Sequence, residues 1–327
     1  MRFTRKLCCN AASATLVVGA LLGAASSAAF AADKLRVGKS PAYLFSYVPV
    51  DVGIAQGFFQ SRGLDLDVVA FEGAAKMDMA LTADSIDIAL GSPMEMAGIE
   101  KGMPAVAIAT IAHPIRELSV IVPADSPIKS VDELRGKSMG IATMGSITQW
   151  AALELARVKG WGNDGLKLVA IGSGTGSAVA AIRAHLVDSQ IANLMTGVVL
   201  ERQGQARQLA IVSDYASDFI MHEMAATRNA IAQKPDAIRG FVAAWFEAVA
   251  FMRTHKAETV KIAMTTTGLN EADEGLEYDT LMPAQSGDGR HDPKIMARTS
   301  ESFVELGILD HAPDISKLYT EAFLPPR

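Results

Sequence analysis

The sequence predicts an α/β protein of two βαβ lobes joined by a double-stranded hinge and finished by a helical C-terminal tail. Three observations carry that expectation. From Lys34 onward, short β-rich runs alternate with amphipathic stretches, the pattern of mostly parallel sheets covered on both faces. Two places, His113-Pro114 and Asp214–Ile220, interrupt the alternation where a chain can cross between lobes. Beyond Thr227 every periodic segment is helical. The 327 residues suffice for two lobes of ordinary size, and 50% hydrophobic with 20% charged residues is a soluble globular composition.

The first 31 residues read as a cleaved signal peptide. Arg2, Arg5 and Lys6 precede an apolar run from Ala11 to Ala25, and Ala29-Phe30-Ala31 offers a small-x-small cleavage site. That run falls short of the ~18 to 20 residues of a spanning helix. Removing the leader takes away three positive charges and no acid, which moves the formal charge from −6 to −9. An acidic body without a Lys/Arg-rich run argues against nucleic acid or an anionic membrane as partner. Cys8 and Cys9 are the only cysteines. The exported chain therefore has no disulfide framework, thiolate metal ligand or cysteine nucleophile.

Strands are expected at Lys34–Gly38, Leu64–Phe71, Ile86–Leu90, Ala105–Ala112 and Leu118–Val122. Helices are expected between them at Pro49–Gln60, Ala75–Ala83 and Pro93–Lys101. Asp132–Leu134 should make one helical turn, capped by Ser130 with Glu133 at the third position. Then follow a strand at Ser138–Ala142, a helix at Ser146–Lys159, a strand at Leu166–Ile171 and a helix at Thr175–His185. Strands at Gln190–Leu194 and Gln208–Val212, and a returning strand at Phe219–Thr227, close the β-rich part. Helices at Pro235–Thr254, Ala257–Thr266, Ala272–Met282 and Pro293–Leu306 form the tail. With crossings near 113 and 218, residues 32–113 and 219–327 should make one lobe and 114–218 the other.

Ligands of open parallel sheets bind beyond the carboxyl ends of the strands, beside helix amino termini. Those positions here hold Ser40 and Tyr43, Gly73, Gly91 and Ser92, Thr143, Gly145 and Ser146, Thr175 and Asn193. They are mostly small or hydroxylated residues, which also serve as caps and turn formers. Taken together they point to a cleft receiving three loops from each lobe. Free N–H groups and positive dipole ends there favour an anion. Ser146 and Thr148 are placed to donate to such an anion, so Ser146→Asp is expected to abolish anion binding and leave the fold intact. Tyr43, Phe45 and Tyr47 alternate after the first strand and can wall the cleft, with at least one packing inward. His113 and Arg116 sit at the proposed hinge, where they can pair with a carboxylate or sulfonate or simply face solvent.

Catalytic motifs are weak. Gly136-Lys137-Ser138-Met139-Gly140 matches G-x-S-x-G, but its turn precedes the strand where a nucleophile elbow must follow one. Val131 stands where a phosphate loop needs glycine. Gly172, Gly174 and Gly176 miss dinucleotide spacing by one residue, and Asp188 is too near to be a ribose acid. His222-Glu223 alone does not make a metal site. No cofactor, metal or catalytic residue is expected.

Several segments together resemble one family: KLRVG at the start, Gly57-Phe58-Phe59 with Arg62-Gly63-Leu64, Asp84–Ala89, Ser126–Lys137 and Gly145–Thr148. The tail, with Pro235, Ile238, Trp245 and Glu247, continues the likeness, which covers roughly Lys34 to Pro325. The chain resembles substrate-binding components of ABC importers of the nitrate/sulfonate/taurine and thiamine-precursor type, with the type II periplasmic-binding fold. The resemblance places ligand contacts on Ser40, Tyr43, Gly73, Gly91, Ser92, Thr143, Ser146 and Asn193. Asn193-Leu194-Met195-Thr196 departs from the proline-bearing loop common in relatives. The resemblance implies a periplasmic, monomeric receptor that takes a small anionic or polar organic solute, such as a sulfonate, nitrate or aromatic carboxylate, to an ABC permease. The alternative is an enzyme on this scaffold acting on a thiamine-precursor-like pyrimidine. The similar fungal synthase relies on a cysteine cluster and a histidine that the exported chain lacks. A third role, a receptor presented to a signalling partner, would look the same in sequence.

Overall fold

The computed structural model describes residues 32–172 and 175–326. The expected signal peptide and Ser173-Gly174 lie outside the described residues. The chain forms two five-stranded sheets. The first contains β1 (Asp33–Lys39), β2 (Leu64–Ala70), β3 (Ile88–Gly91) and β4 (Ala105–Ala112), in the order β2-β1-β3-β10-β4. Its fourth position is taken by β10 (His222–Thr227), which returns from the other sheet. The second contains β5 (Leu118–Pro123), β6 (Ser138–Ile141), β7 (Lys167–Ala170), β8 (Ser189–Asn193) and β9 (Ala206–Ile211), ordered β7-β6-β8-β5-β9. The chain thus crosses once between Ala112 and Leu118 and back between Ile211 and His222, as a double-stranded hinge requires. The sheets are mixed: β10 runs antiparallel to β3 and β4, and β5 antiparallel to β8 and β9. Each antiparallel strand is the one that enters its sheet directly after a crossing.

Three helices serve the first sheet's βαβ units: α1 (Val48–Ala55), α2 (Ala74–Thr82) and α3 (Met94–Glu100). Three more serve the second: α4 (Ile147–Val158), α5 (Thr175–Arg183) and α6 (Leu194–Arg202). After β10 come α7 (Arg228–Gln233), α8 (Pro235–Thr254), α9 (Lys256–Thr267), α10 (Glu271–Leu281) and α11 (Pro293–Glu305). No described helix is long and apolar enough to cross a membrane. Pro235 at the first turn and an apolar stripe ending in Met252 give α8 both bounds predicted for it. Phe241, Trp245 and Val249 of that stripe are fully or almost fully buried, and Phe241 stacks on Phe59.

Other expectations need correction. The helix expected over Pro49–Gln60 ends at Ala55, because the chain turns back at Gly57 (φ 75°) and Phe59 folds over Gly53, where a Cβ would collide with its ring. Ser130 does not cap the short turn at Val131–Leu134. Its hydroxyl donates to the Glu133 side chain (3.0 Å) instead of receiving a backbone N–H. The helices α6 and α7 were not anticipated. Leu194–Arg202 carries Gly197 and two valines, a poor helical composition. Tertiary packing decides it: α6 presses so closely on β5 and β9 that a Cβ on Gly197 would crowd Ser119, Ile121 and Gln208.

Candidate functional site

A cavity partly open to solvent lies between the two sheets. The first sheet contributes the loop after β1 (Ser40, Pro41, Tyr43 and Leu44), the start of α2 (Gly73 and Ala74), and Ser92 with Glu95 at the start of α3. The second contributes Ser146 to Thr148, Ile171 and Gly172, and the β8 run Gln190 to Asn193. Six of the ten sequence candidates therefore face it: Ser40, Tyr43, Gly73, Ser92, Ser146 and Asn193. Gly91, Thr143 and Gly145 do not line it, and the side chain of Thr175 lies outside the description. Nor do His113 and Arg116, both exposed at the first crossing, contribute.

The three displaced candidates act through the backbone. The Gly91 carbonyl receives the Tyr47 hydroxyl at 3.1 Å, and a Cβ on this glycine would run into Glu95 Oε1. The Thr143 carbonyl accepts the Ser146 hydroxyl at 2.7 Å, and Gly145 at φ 80° donates its N–H to Gln149 Oε1. The cap itself is real. Ser146 accepts the Gln149 N–H and lies 2.8 Å from Thr148 Oγ1, which in turn accepts the Ala142 N–H. Asn193 caps α6 in the same manner, receiving the N–H groups of Met195 and Thr196.

The aromatic triplet divides. Phe45 is core, Tyr43 lines the cavity, and Tyr47 is fully buried with its hydroxyl 2.9 Å from His222 Nδ1. His222 Nε2 lies 2.5 Å from Glu117 Oε2, and Glu117 accepts the Ser46 N–H and hydroxyl. Glu117 ends the first crossing and His222 begins β10 after the second, so this buried pair ties the two connections together beneath the cavity. His222 reaches the cavity wall with both ring nitrogens already engaged.

Of the three cavity residues whose polar atoms remain open, sequence reasoning named Ser40 and missed Gln190 and Glu95. Gln190 is fully buried on the central strand β8, and neither its amide oxygen nor its nitrogen has a hydrogen-bond partner. Glu95 is 2% exposed; its Oε2 accepts the Ser92 N–H and hydroxyl, and its Oε1 is unpartnered. The Ser40 hydroxyl is unpartnered as well. All three residues line the cavity. Burial first, with the negative charge of Asp78 second, pushes the Glu95 carboxyl well above the usual carboxylate range. Asp78 is itself raised to about 6 by burial. No lysine or arginine lines the cavity among the described residues. The sequence signal was small: a glutamine within the strand SQIAN and the first of two glutamates in the helix MEMAGIE.

Among curated proteins no sequence matches this chain. Solved structures share its fold at low identity. The periplasmic aliphatic sulphonate binding protein SsuA from Escherichia coli superposes with a TM-score of 0.73 at 20% identity, covering 88% of this chain and 92% of that one. The alkanesulfonate-binding protein SsuA from Xanthomonas axonopodis pv. citri, bound to MOPS, gives 0.76 at 16% identity over 88% and 98%. The periplasmic nitrate-binding protein NrtA from Synechocystis PCC 6803 gives 0.69 at 14% identity over 89% and 86%. These establish the periplasmic-binding-protein architecture, two lobes around one cleft. A family model matches residues 45–259, about two thirds of the sequence and most of both sheets, and on that match the chain belongs to the NMT1/THI5-like family.

Proposed function

We propose that this protein is an exported solute receptor of an ABC importer, which holds a small polar organic molecule between its lobes and passes it to a membrane permease. One observation carries the reading: buried, unpartnered polar atoms from both lobes, Ser40 Oγ and Glu95 Oε1 on one side and the Gln190 amide on the other, line a single cavity. Leaving such groups unmade costs about 1–3 kcal/mol each, so a ligand that completes them joins the lobes and favours the closed form. The periplasmic neighbours and the positive amino terminus with its apolar run support export through a cleaved leader. The loops named from sequence, Ser40, Tyr43, Gly73, Ser92, Ser146 and Asn193, are the proposed contact set, with Gln190 and Glu95 added.

The lining favours the polar, uncharged end of the expected solute range over the anionic end. A carboxyl biased toward its protonated form by burial donates and accepts, an amide does both, and a hydroxyl does both. That set matches a flat molecule with alternating donors and acceptors on one edge, an amide or an aza-heterocycle. A sulfonate would meet no cationic side chain here, and the Ser146 hydroxyl is already spent on its own loop. The test is a thermal-shift panel of pyrimidines, aromatic amides, sulfonates, nitrate and aromatic carboxylates. A neutral heterocycle or amide should stabilise the protein, by about 2.7 kcal/mol at one hundred times Kd, and Gln190→Leu should remove the shift while folding normally. A flat response to every class would defeat the receptor reading. A response to anions that survives Gln190→Leu would defeat the ligand class.

A further inference from the structure

A second chamber abuts the first and shares Tyr43, Asn193 and Thr196 with it. One wall is α5 and α6, with Val179, Arg183, Val199 and Gln203. The other is the turn from α9 into α10, with Thr267 to Leu269, and Glu277. Glu277 is 2% exposed, and its Oε2 is buried without a hydrogen-bond partner. The charged groups acting on it are Glu117 and Glu274, both acids. None of the nearby cations pairs with Glu277. Arg202 pairs with Asp273, Lys256 pairs with Asp279, and Arg183, exposed at the far wall, donates through Nε to Gln205. Burial first, and those two acids second, push the Glu277 carboxyl up to about 9.

We propose that this chamber is a subsite for a protonated nitrogen carried by the bound solute, an ammonium or amidinium group, with Glu277 as its counter-ion. The proposal rests on the receptor reading above and extends it to a two-part ligand: a flat polar body in the first chamber and a cationic arm in the second. A buried carboxyl weakens the empty protein when the only charges that act on it appreciably are other carboxyls. An ammonium supplies both the missing hydrogen-bond donor and the opposite charge. Because Glu277 holds its proton at neutral pH, taking up the cation expels that proton. Binding should therefore release up to one proton and tighten as pH rises from 6 to 8, by as much as tenfold per unit.

The experiment uses benzyl, phenethyl and pyridylmethyl scaffolds, each as amine, alcohol and carboxylate, titrated calorimetrically into the full mature chain and its Glu277→Gln variant. Two buffers of different ionisation enthalpy count the protons. In the wild type the amine of a binding scaffold should bind at least tenfold tighter than its alcohol, with proton release. In Glu277→Gln the preference, the release and the pH dependence should all vanish, while a neutral solute that binds the first chamber keeps its affinity. A scaffold that binds as alcohol or carboxylate as tightly as its amine overturns the subsite and leaves the receptor standing, as does an amine preference that persists in Glu277→Gln. If neither these compounds nor any member of the thermal-shift panel binds, the receptor reading falls and the subsite with it.

Discussion

At the scale of single residues, the cleft is distinguished by groups that a folding protein would gain by pairing and does not pair. Glu277 gives the sharpest consequence. Its carboxyl stays protonated in the folded chain up to about pH 9 but ionises near the ordinary carboxylate value when unfolded. Between those limits the native state binds more protons, so stability falls as pH rises, by up to about 1.4 kcal/mol per unit. Below the unfolded value both states are protonated and the penalty disappears. Glu277→Gln should therefore stabilise the empty protein on the order of 1–3 kcal/mol at pH 8 and change it little at pH 4. Urea melts at the two pH values check this, and an equal effect at both would refute the assignment. Gly91 shows the opposite logic, a residue kept small because the neighbouring Glu95 carboxyl occupies the space of its side chain. Neither role was visible from residue type: a glutamate in an amphipathic helix and a glycine after a strand are both ordinary until the partner is known.

At the scale of elements, the strand–helix order was largely legible because it rests on local periodicity. The strand β4 and the helix α8 have the bounds the pattern predicts, and most others shift by one or two residues. The misses share a cause. Pressure from β5 and β9 holds Leu194–Arg202 helical against its own propensity, and the helix expected from Pro49 stops where Phe59 folds back onto Gly53. The Ser146 cap was correctly placed from sequence, and it carries a prediction of its own. With its hydroxyl bonded to Thr143, Thr148 and the Gln149 N–H, Ser146→Ala should cost about 1 kcal/mol. Chemical denaturation reads that loss directly. No change would mean that the hydroxyl contributes nothing to holding α4.

At the scale of the whole molecule, the two sheets are tied on both sides of the cleft by different means. Trp150 of α4 donates to Ser302 of α11 at 2.9 Å and stacks on Phe219 of the second crossing, and Arg298 bonds Glu154. The tryptophan contacts are buried and the Arg298–Glu154 pair partly so, and together they hold the side of the second crossing. Toward the second chamber, Arg202 of α6 pairs with Asp273 of α10. Its arginine is half exposed, so the pair is worth about 1 kcal/mol at most, enough to shift an open–closed balance about fivefold. Arg202→Ala should expand the solute-free protein in small-angle X-ray scattering and weaken solute binding severalfold. Unchanged scattering and affinity would show that the pair closes nothing.

The sequence by itself determined the alternation of strands and helices, the two crossings, the family likeness and most of the loops that ring the cavity, because each is written in neighbours along the chain. Tertiary structure alone decided which polar atoms stay without partners. Gln190, Glu95 and Glu277 acquire their meaning from burial and from charges distant in sequence, such as Glu117 acting on Glu277. The helix ends promised an anion. Ser146 and Asn193, once packed, cap the starts of α4 and α6, and the polar groups left open include an amide and two buried carboxyls.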